Sequence, residues 1–220
     1  MHPRDVLRAW VQRAVRLGPA RLALGLSILL ALPALALPVW SMGAFTGNTQ
    51  DVSSFSWTTM ATDRFRNGIW TQTTIVPYGS SPFPAIGGVL GLSYALDVAF
   101  LLLAAVVFAM FSLKIGRTMS TLGLLVTALL AVGVGLLAIF YPIVAIPGAA
   151  TTDLGTFTVG GFWGNTNTGS TQWSWGAGLG WWFVLISVVL GIFGASLPYL
   201  KSIRSMTPPP PPEDWTPPAR

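Results

Sequence analysis

Residues 85–113 read AIGGVLGLSYALDVAFLLLAAVVFAMFSL, and Asp97 is the one charged residue among them. A helix needs about 20 mostly apolar residues to cross a hydrocarbon core roughly 30 Å thick. The run is therefore a spanning helix with residues to spare. Lys114-Ile115-Gly116-Arg117 follows at once, and a second apolar run extends from Met119 to Ile146, just before Pro147. Two such runs joined by so short a basic link form a helical hairpin in a bilayer.

Working outward, an apolar run from Leu22 to Trp40 precedes this hairpin and another from Gly178 to Leu200 follows it. Pro33 and Pro38 fall in the outer part of the first run and predict a kink, since proline removes a backbone donor. The expected fold class is an all-α membrane bundle of four transmembrane helices, with a small extracytoplasmic β-sheet from the two long loops, 41–84 and 148–177. Residues 1–21 form a basic segment and residues 22–200 the transmembrane domain. Residues 201–220 form a proline-rich tail, expected as extended polyproline II. Within residues 3–17, Leu7, Trp10, Val11 and Ala14 recur at helical spacing, with Arg8, Gln12, Arg13 and Arg16 on the other side. That pattern predicts a surface helix in the headgroup region. A cleaved signal peptide is the rival reading of the N-terminus, with Ala34-Leu35-Ala36 resembling a cleavage site.

Composition agrees with a bilayer environment. The 220 residues are 52% hydrophobic and 9% charged, against about 25% charged in an ordinary soluble domain. The net charge of +5 does not point to nucleic acid, because the basic residues sit beside the ends of apolar runs. There is no cysteine, and the only histidine is His2. Disulfides, thiolate chemistry and histidine-held haem, copper or zinc within the bundle are excluded, and no cofactor is expected.

The charges also orient the chain. Arg4, Arg8, Arg13, Arg16 and Arg21, then Lys114 and Arg117, then Lys201 and Arg204 all fall on one side of the four runs. The positive-inside rule places both termini in the cytoplasm and both long loops outside. Most tryptophans lie in or beside those loops, which predicts a packed outer layer. In the first loop, Phe55-Ser56-Trp57 and Ile69 to Val76 are rich in β-formers, with turn signals at Gly47-Asn48, Asn67-Gly68 and Gly79-Ser80. In the second loop the strand-like pieces are Thr156 to Val159 and Trp173 to Trp175.

Asp97 lies about 12 residues, or roughly 18 Å, below the outer end of its span, close to the midplane. An ionised carboxylate there is costly, so it is expected to face the bundle and to be hydrogen-bonded. Ser93 and Tyr94 are its nearest polar neighbours in sequence, and no basic residue lies in the apolar middle of any span. Two readings stand: a protonated structural acid that hydrogen-bonds a neighbouring helix or a partner subunit, and a step in proton or ion handling. Gly87, Gly88, Gly91, Gly133, Gly135, Gly191 and Gly194 permit close helix approach. Gly176-Ala177-Gly178-Leu179-Gly180 has the look of a phosphate loop, but Trp181-Trp182 stands where a lysine is needed. Asp51, Asp63 and Asp153 read as solvated or capping residues.

The segment Leu37-Pro38-Val39-Trp40-Ser41-Met42-Gly43-Ala44-Phe45, with Gly68-Ile69-Trp70 further on, resembles the first loop of claudins and the related peripheral-myelin proteins. The order of four helices, long loop, short turn and shorter loop is similar too. Thr73 stands where the first of that family's paired cysteines would be. The resemblance implies one outer antiparallel sheet built from both loops, with Trp40 and Trp70 at its membrane-facing base.

The function expected is non-catalytic: a scaffold associating laterally with copies of itself or with other membrane proteins. Trp40, Gly68, Trp70, Trp163, Trp173 and Trp175 are the candidate outer-layer packing and interaction residues. Asp97, Tyr94 and Ser93 are the candidate intramembrane polar site. The alternatives are an accessory subunit of a larger membrane enzyme or respiratory complex, and a small transporter or channel using Asp97.

Overall fold

Proline opens both of the first two helices, at positions where the missing N–H costs nothing. The structure, a computed structural model, describes residues 18–112 and 121–205. The expected surface helix at 3–17, the basic turn Lys114–Arg117 and the proline-rich tail lie outside the described residues. Four helices are present: α1 (Pro19–Ala34), α2 (Pro84–Ser112), α3 (Thr121–Leu154) and α4 (Leu179–Ser205). The last three are each long and apolar enough to cross a membrane. Their outward faces carry exposed Leu102, Leu129, Phe140, Val144 and Phe193. A helix apolar all round suits lipid rather than water.

Two helix boundaries depart from expectation. The first helix stops at Ala34, with Pro33 inside its last turn. Its 16 residues span about 24 Å. Leu35, Ala36 and Leu37 continue as tight turns onto Leu32, Pro33 and Ala34. Pro38 then forces extended backbone, so Trp40 opens a strand rather than closing a helix. The third helix does not end before Pro147. It runs through Pro142 and Pro147 to Leu154. Polar side chains support the extension: the Thr151 hydroxyl donates to the Pro147 carbonyl at 2.9 Å and Thr152 donates to Gly148 at 3.0 Å.

That extension carries Asp153 to the outer end of α2. Its carboxylate accepts from the backbone N–H groups of Ala85 at 3.0 Å and Ile86 at 2.8 Å. Two orphan donors of one helix are thus capped by an acid from another, and the negative charge lies at the positive end of the α2 dipole. Asp153→Ala removes this cap; from the usual worth of a cap the expected loss is about 1 kcal/mol. Thermal unfolding in detergent checks it, and Asp153→Asn, which keeps an acceptor, should recover part of the loss.

Above the helices lies one sheet in the order β4-β3-β2-β1-β6-β5, antiparallel throughout. The first interhelical segment supplies β1 (Trp40–Thr46), β2 (Thr49–Phe55), β3 (Thr59–Arg66) and β4 (Ile69–Pro77), and the second supplies β5 (Gly164–Thr168) and β6 (Thr171–Ala177). Both interhelical segments therefore build one sheet, as expected. Turn chemistry is local and reads well from sequence. Asn67 and Gly68 both have positive φ, at 53° and 75°, as a type I′ hairpin requires. Thr156 to Val159, however, is not a strand. The strand is Gly164–Thr168, poor in β-formers, and it pairs because a two-residue turn at Gly169-Ser170 folds it onto β6. Partner availability overrides propensity here.

The helices pair mainly as α1 with α4 and α2 with α3. The joint between bundle and sheet is tight. The N–H of Gly178 donates to Val39 at 2.8 Å and that of Gly180 to Pro38 at 2.7 Å. A Cβ on Gly180 would stand 2.6 Å from the Leu37 carbonyl oxygen, and one on Gly178 would collide with the Pro38 carbonyl. The glycines of 176–180 are thereby accounted for in part as close backbone contact.

Candidate functional site

The inward side chains of α2 are Ile86, Leu90, Ser93, Asp97, Phe100, Ala104, Val107 and Met110. Their spacing is made of threes and fours, which is the seam of a packed helix. Asp97 therefore falls on the buried seam by its place in the chain and is 4% exposed. Ser93 lies one turn outward on the same seam, its hydroxyl returned to the Val89 carbonyl at 3.0 Å. Tyr94 is next along the chain but points another way. It is 37% exposed and its ring lies 6.0 Å from that of Trp57. The three candidates of the intramembrane site thus divide: Ser93 and Asp97 are together, and Tyr94 belongs to the outer face.

Two more buried polar residues lie on other helices. Ser27 on α1 and Ser187 on α4 are fully buried, and with Ser93 and Asp97 they make up the buried polar side chains among the described residues. The Ser187 hydroxyl donates to the Ser27 carbonyl at 2.7 Å, and the two hydroxyls lie 3.3 Å apart. The Phe100 ring ties their depth to that of Asp97. It lies against the positions a side chain would take at both Gly135 and Gly191, and the Gly191 position also meets the Ser27 hydroxyl at 3.0 Å. One turn outward from Phe100 is Asp97; one turn outward from Gly191 is Ser187. The serine pair and the acid therefore share one layer. Neither oxygen of the Asp97 carboxyl has a hydrogen-bond partner among the described residues. The expectation of a bundle-facing acid holds, and that of a hydrogen-bonded one does not. Sequence reading passed over Ser27. Its signal was present as the one hydroxyl in the apolar stretch between Arg21 and Ser41.

The outer layer is organised by indole N–H groups that bond carbonyls of other elements. Trp40 donates to Phe162 at 2.9 Å, Trp57 to Ala34 at 2.8 Å, Trp175 to Gly161 at 2.8 Å and Trp181 to Ile139 at 3.2 Å. The last of these carbonyls lies beside the helix position that Pro142 cannot bond. Trp40 sits at the base of the sheet, paired with Phe55 on one side and Ala177 on the other. Trp163 packs on Phe162 and Trp181, while Trp173 and Trp175 pack on Phe157.

Gly68 and Trp70 are elsewhere. They lie at the far tip of the β3–β4 hairpin, and Trp70 is 57% exposed. The placement of Trp70 at the membrane-facing base is therefore corrected. Alternating hairpins carry the chain up β3 and turn it at Asn67-Gly68, which puts Trp70 a strand's length from Trp40. The loop aspartates do not converge. Asp51 forms a two-pronged pair with Arg64 at 2.9 and 3.1 Å, and Asp63 accepts from the Thr73 hydroxyl. Asp153 caps α2.

Together these features define a class: a helical bundle with three helices of spanning length, one polar layer in its core, and a single sheet welded to one end. The chain matches no protein-family model and no curated protein.

Proposed function

We propose that this chain is a four-span integral membrane scaffold, with both termini cytoplasmic and the sheet outside, that associates laterally with copies of itself or with other membrane proteins. The reading is non-catalytic and follows the claudin-like plan. The observation that carries it is β4. This nine-residue outermost strand carries no charge and leaves Ile69, Trp70 and Ile75 exposed. Soluble sheets commonly protect such an edge with lysine, proline or a covering loop; an unprotected one is a template for strand pairing. Here Pro77 at the end of the strand and an irregularity beside Arg64 and Phe65 interrupt it only in part. The accessory-subunit alternative uses the same edge and the same apolar helix faces with a different partner. Transport has less in its favour, because the buried polar side chains among the described residues are confined to one layer of the bundle and the void inward of it is apolar.

Crosslinking in native membranes followed by copurification tests this reading. The expected result is a recovered multimer or hetero-complex that Thr73→Lys dissolves while the single chain stays folded. A chain recovered alone, with or without Thr73→Lys, would sink it. Orientation is read separately. The chain has no cysteine, so Asn48→Cys should react with an impermeant maleimide in intact cells, and Thr216→Cys only after permeabilisation.

A further inference from the structure

We propose that Asp97 is a buried proton-binding site, the carboxyl carrying a proton as part of the folded bundle. The claim stands apart from lateral association.

Charge balance is the first ground. Asp97 is 4% exposed, and neither of its oxygens has a partner among the described residues. An ionised carboxylate at this depth needs a counter-charge or several donors. The elements packed around it offer neither. On α1 the charged residue is Arg21, at the opposite end of the helix from the sheet. On α3 it is Asp153, already engaged by the α2 N-terminus. On α4 no charged side chain precedes Lys201. Tyr141 is the titratable group nearest in depth, since antiparallel packing of α2 on α3, pinned by Ala85 with Asp153 and by Phe100 with Gly135, brings residues 138–141 level with Asp97. A tyrosine supplies no positive charge.

Room is the second ground. A metal cation stripped of its water needs a shell of oxygen ligands. The layer offers few such ligands beyond the carboxyl: the hydroxyl oxygens of Ser27, Ser93 and Ser187, two of them held in place by donating to the Val89 and Ser27 carbonyls. The nearby core void, bounded by Leu24, Phe100, Ala104 and Gly191 among others, holds about 10 Å³ and has no polar lining. That is at most the volume of one water, and an apolar wall gives water nothing to bond. A proton needs no volume. It leaves a neutral acid, which has one donor and remaining acceptor capacity, and whose burial costs far less than that of an ion.

The test is infrared spectroscopy of the full chain in lipid nanodiscs at neutral pH, in H₂O and D₂O. The C=O stretch of a neutral carboxylic acid should be present in the wild type and absent in Asp97→Asn. It should be unchanged when sodium is replaced by potassium or choline. Asp97→Glu should retain a shifted band, which keeps the test decisive if the Asn variant does not fold. As pH is raised, proton loss leaves an uncompensated charge in the seam. The wild-type melting temperature should therefore fall by several degrees relative to Asp97→Asn. Absence of the band at neutral pH in the wild type overturns the proposal. So does a band that persists in Asp97→Asn, or one that appears only when sodium is withdrawn, the last meaning a bound cation instead.

Discussion

Gly178→Ala is expected to loosen the joint between sheet and bundle more than any other single methyl group would. A Cβ there collides with the Pro38 carbonyl and lies 3.0 Å from the Val39 carbonyl carbon. Both neighbours are backbone, so no side chain can swing aside to relieve the contact. The cost has two parts: overpacking, of about 1–3 kcal/mol, and strain on the hydrogen bonds that Gly178 and Gly180 give to Val39 and Pro38, worth about 1 kcal/mol each. A total near 3 kcal/mol corresponds to a fall of about 6–12 °C in melting temperature for a chain of this size. Gly88→Ala is the control. That position has open space where the Cβ would go, and the variant should melt close to the wild type. Equal losses at both positions would remove the argument from backbone contact.

Trp40→Ala is the second large effect. Trp40 is fully buried, lies 5.3 Å from the Phe55 ring and donates to the Phe162 carbonyl across the two interhelical segments. Truncation of such a residue costs about 3–5 kcal/mol, with the spread set by how far the site collapses. Trp40→Phe keeps the ring contact and loses the N–H, leaving a buried carbonyl short of a donor at about 1–3 kcal/mol. The comparison with Trp70→Ala is the informative one. Both tryptophans belong to the first interhelical segment, yet Trp70 is exposed and its indole bonds Thr73 nearby. Its loss should leave the melting temperature within the narrow range typical of surface substitutions, and it should act instead on association. Chemical or thermal unfolding of the three variants, monitored by tryptophan emission and circular dichroism, separates these roles.

How much was legible from sequence differs element by element. All four apolar runs became helices, α2 and α4 close to the expected bounds, because apolar length is a local property. The end of α3 expected just before Pro147 lies too early, since the helix runs through both Pro142 and Pro147. In the fold, the side chains of Thr151 and Thr152, and the Trp181 indole, bond carbonyls near those prolines. The turns at Gly47-Asn48 and Asn67-Gly68 were readable because positive φ selects the residue. Strand β5 was not readable, since Gly164–Thr168 is held by its partner rather than by its own composition.

The candidate site divides along the same line. That Asp97 lies deep in an apolar helix follows from counting residues, and so does its need to face inward. Its companions do not follow, because Ser27 and Ser187 are 160 positions apart and nothing in either local stretch marks the other. By itself the sequence determined the helices and the hairpin turns, since each depends on residues within a few positions of one another. The tertiary structure alone decided that Ser27, Ser187 and Asp97 share a layer, that Trp40 and Trp70 stand at opposite ends of the sheet, and that Gly178 must lack a side chain. Each of these depends on which distant backbones and side chains come into van der Waals contact, a property of packing that no local pattern encodes.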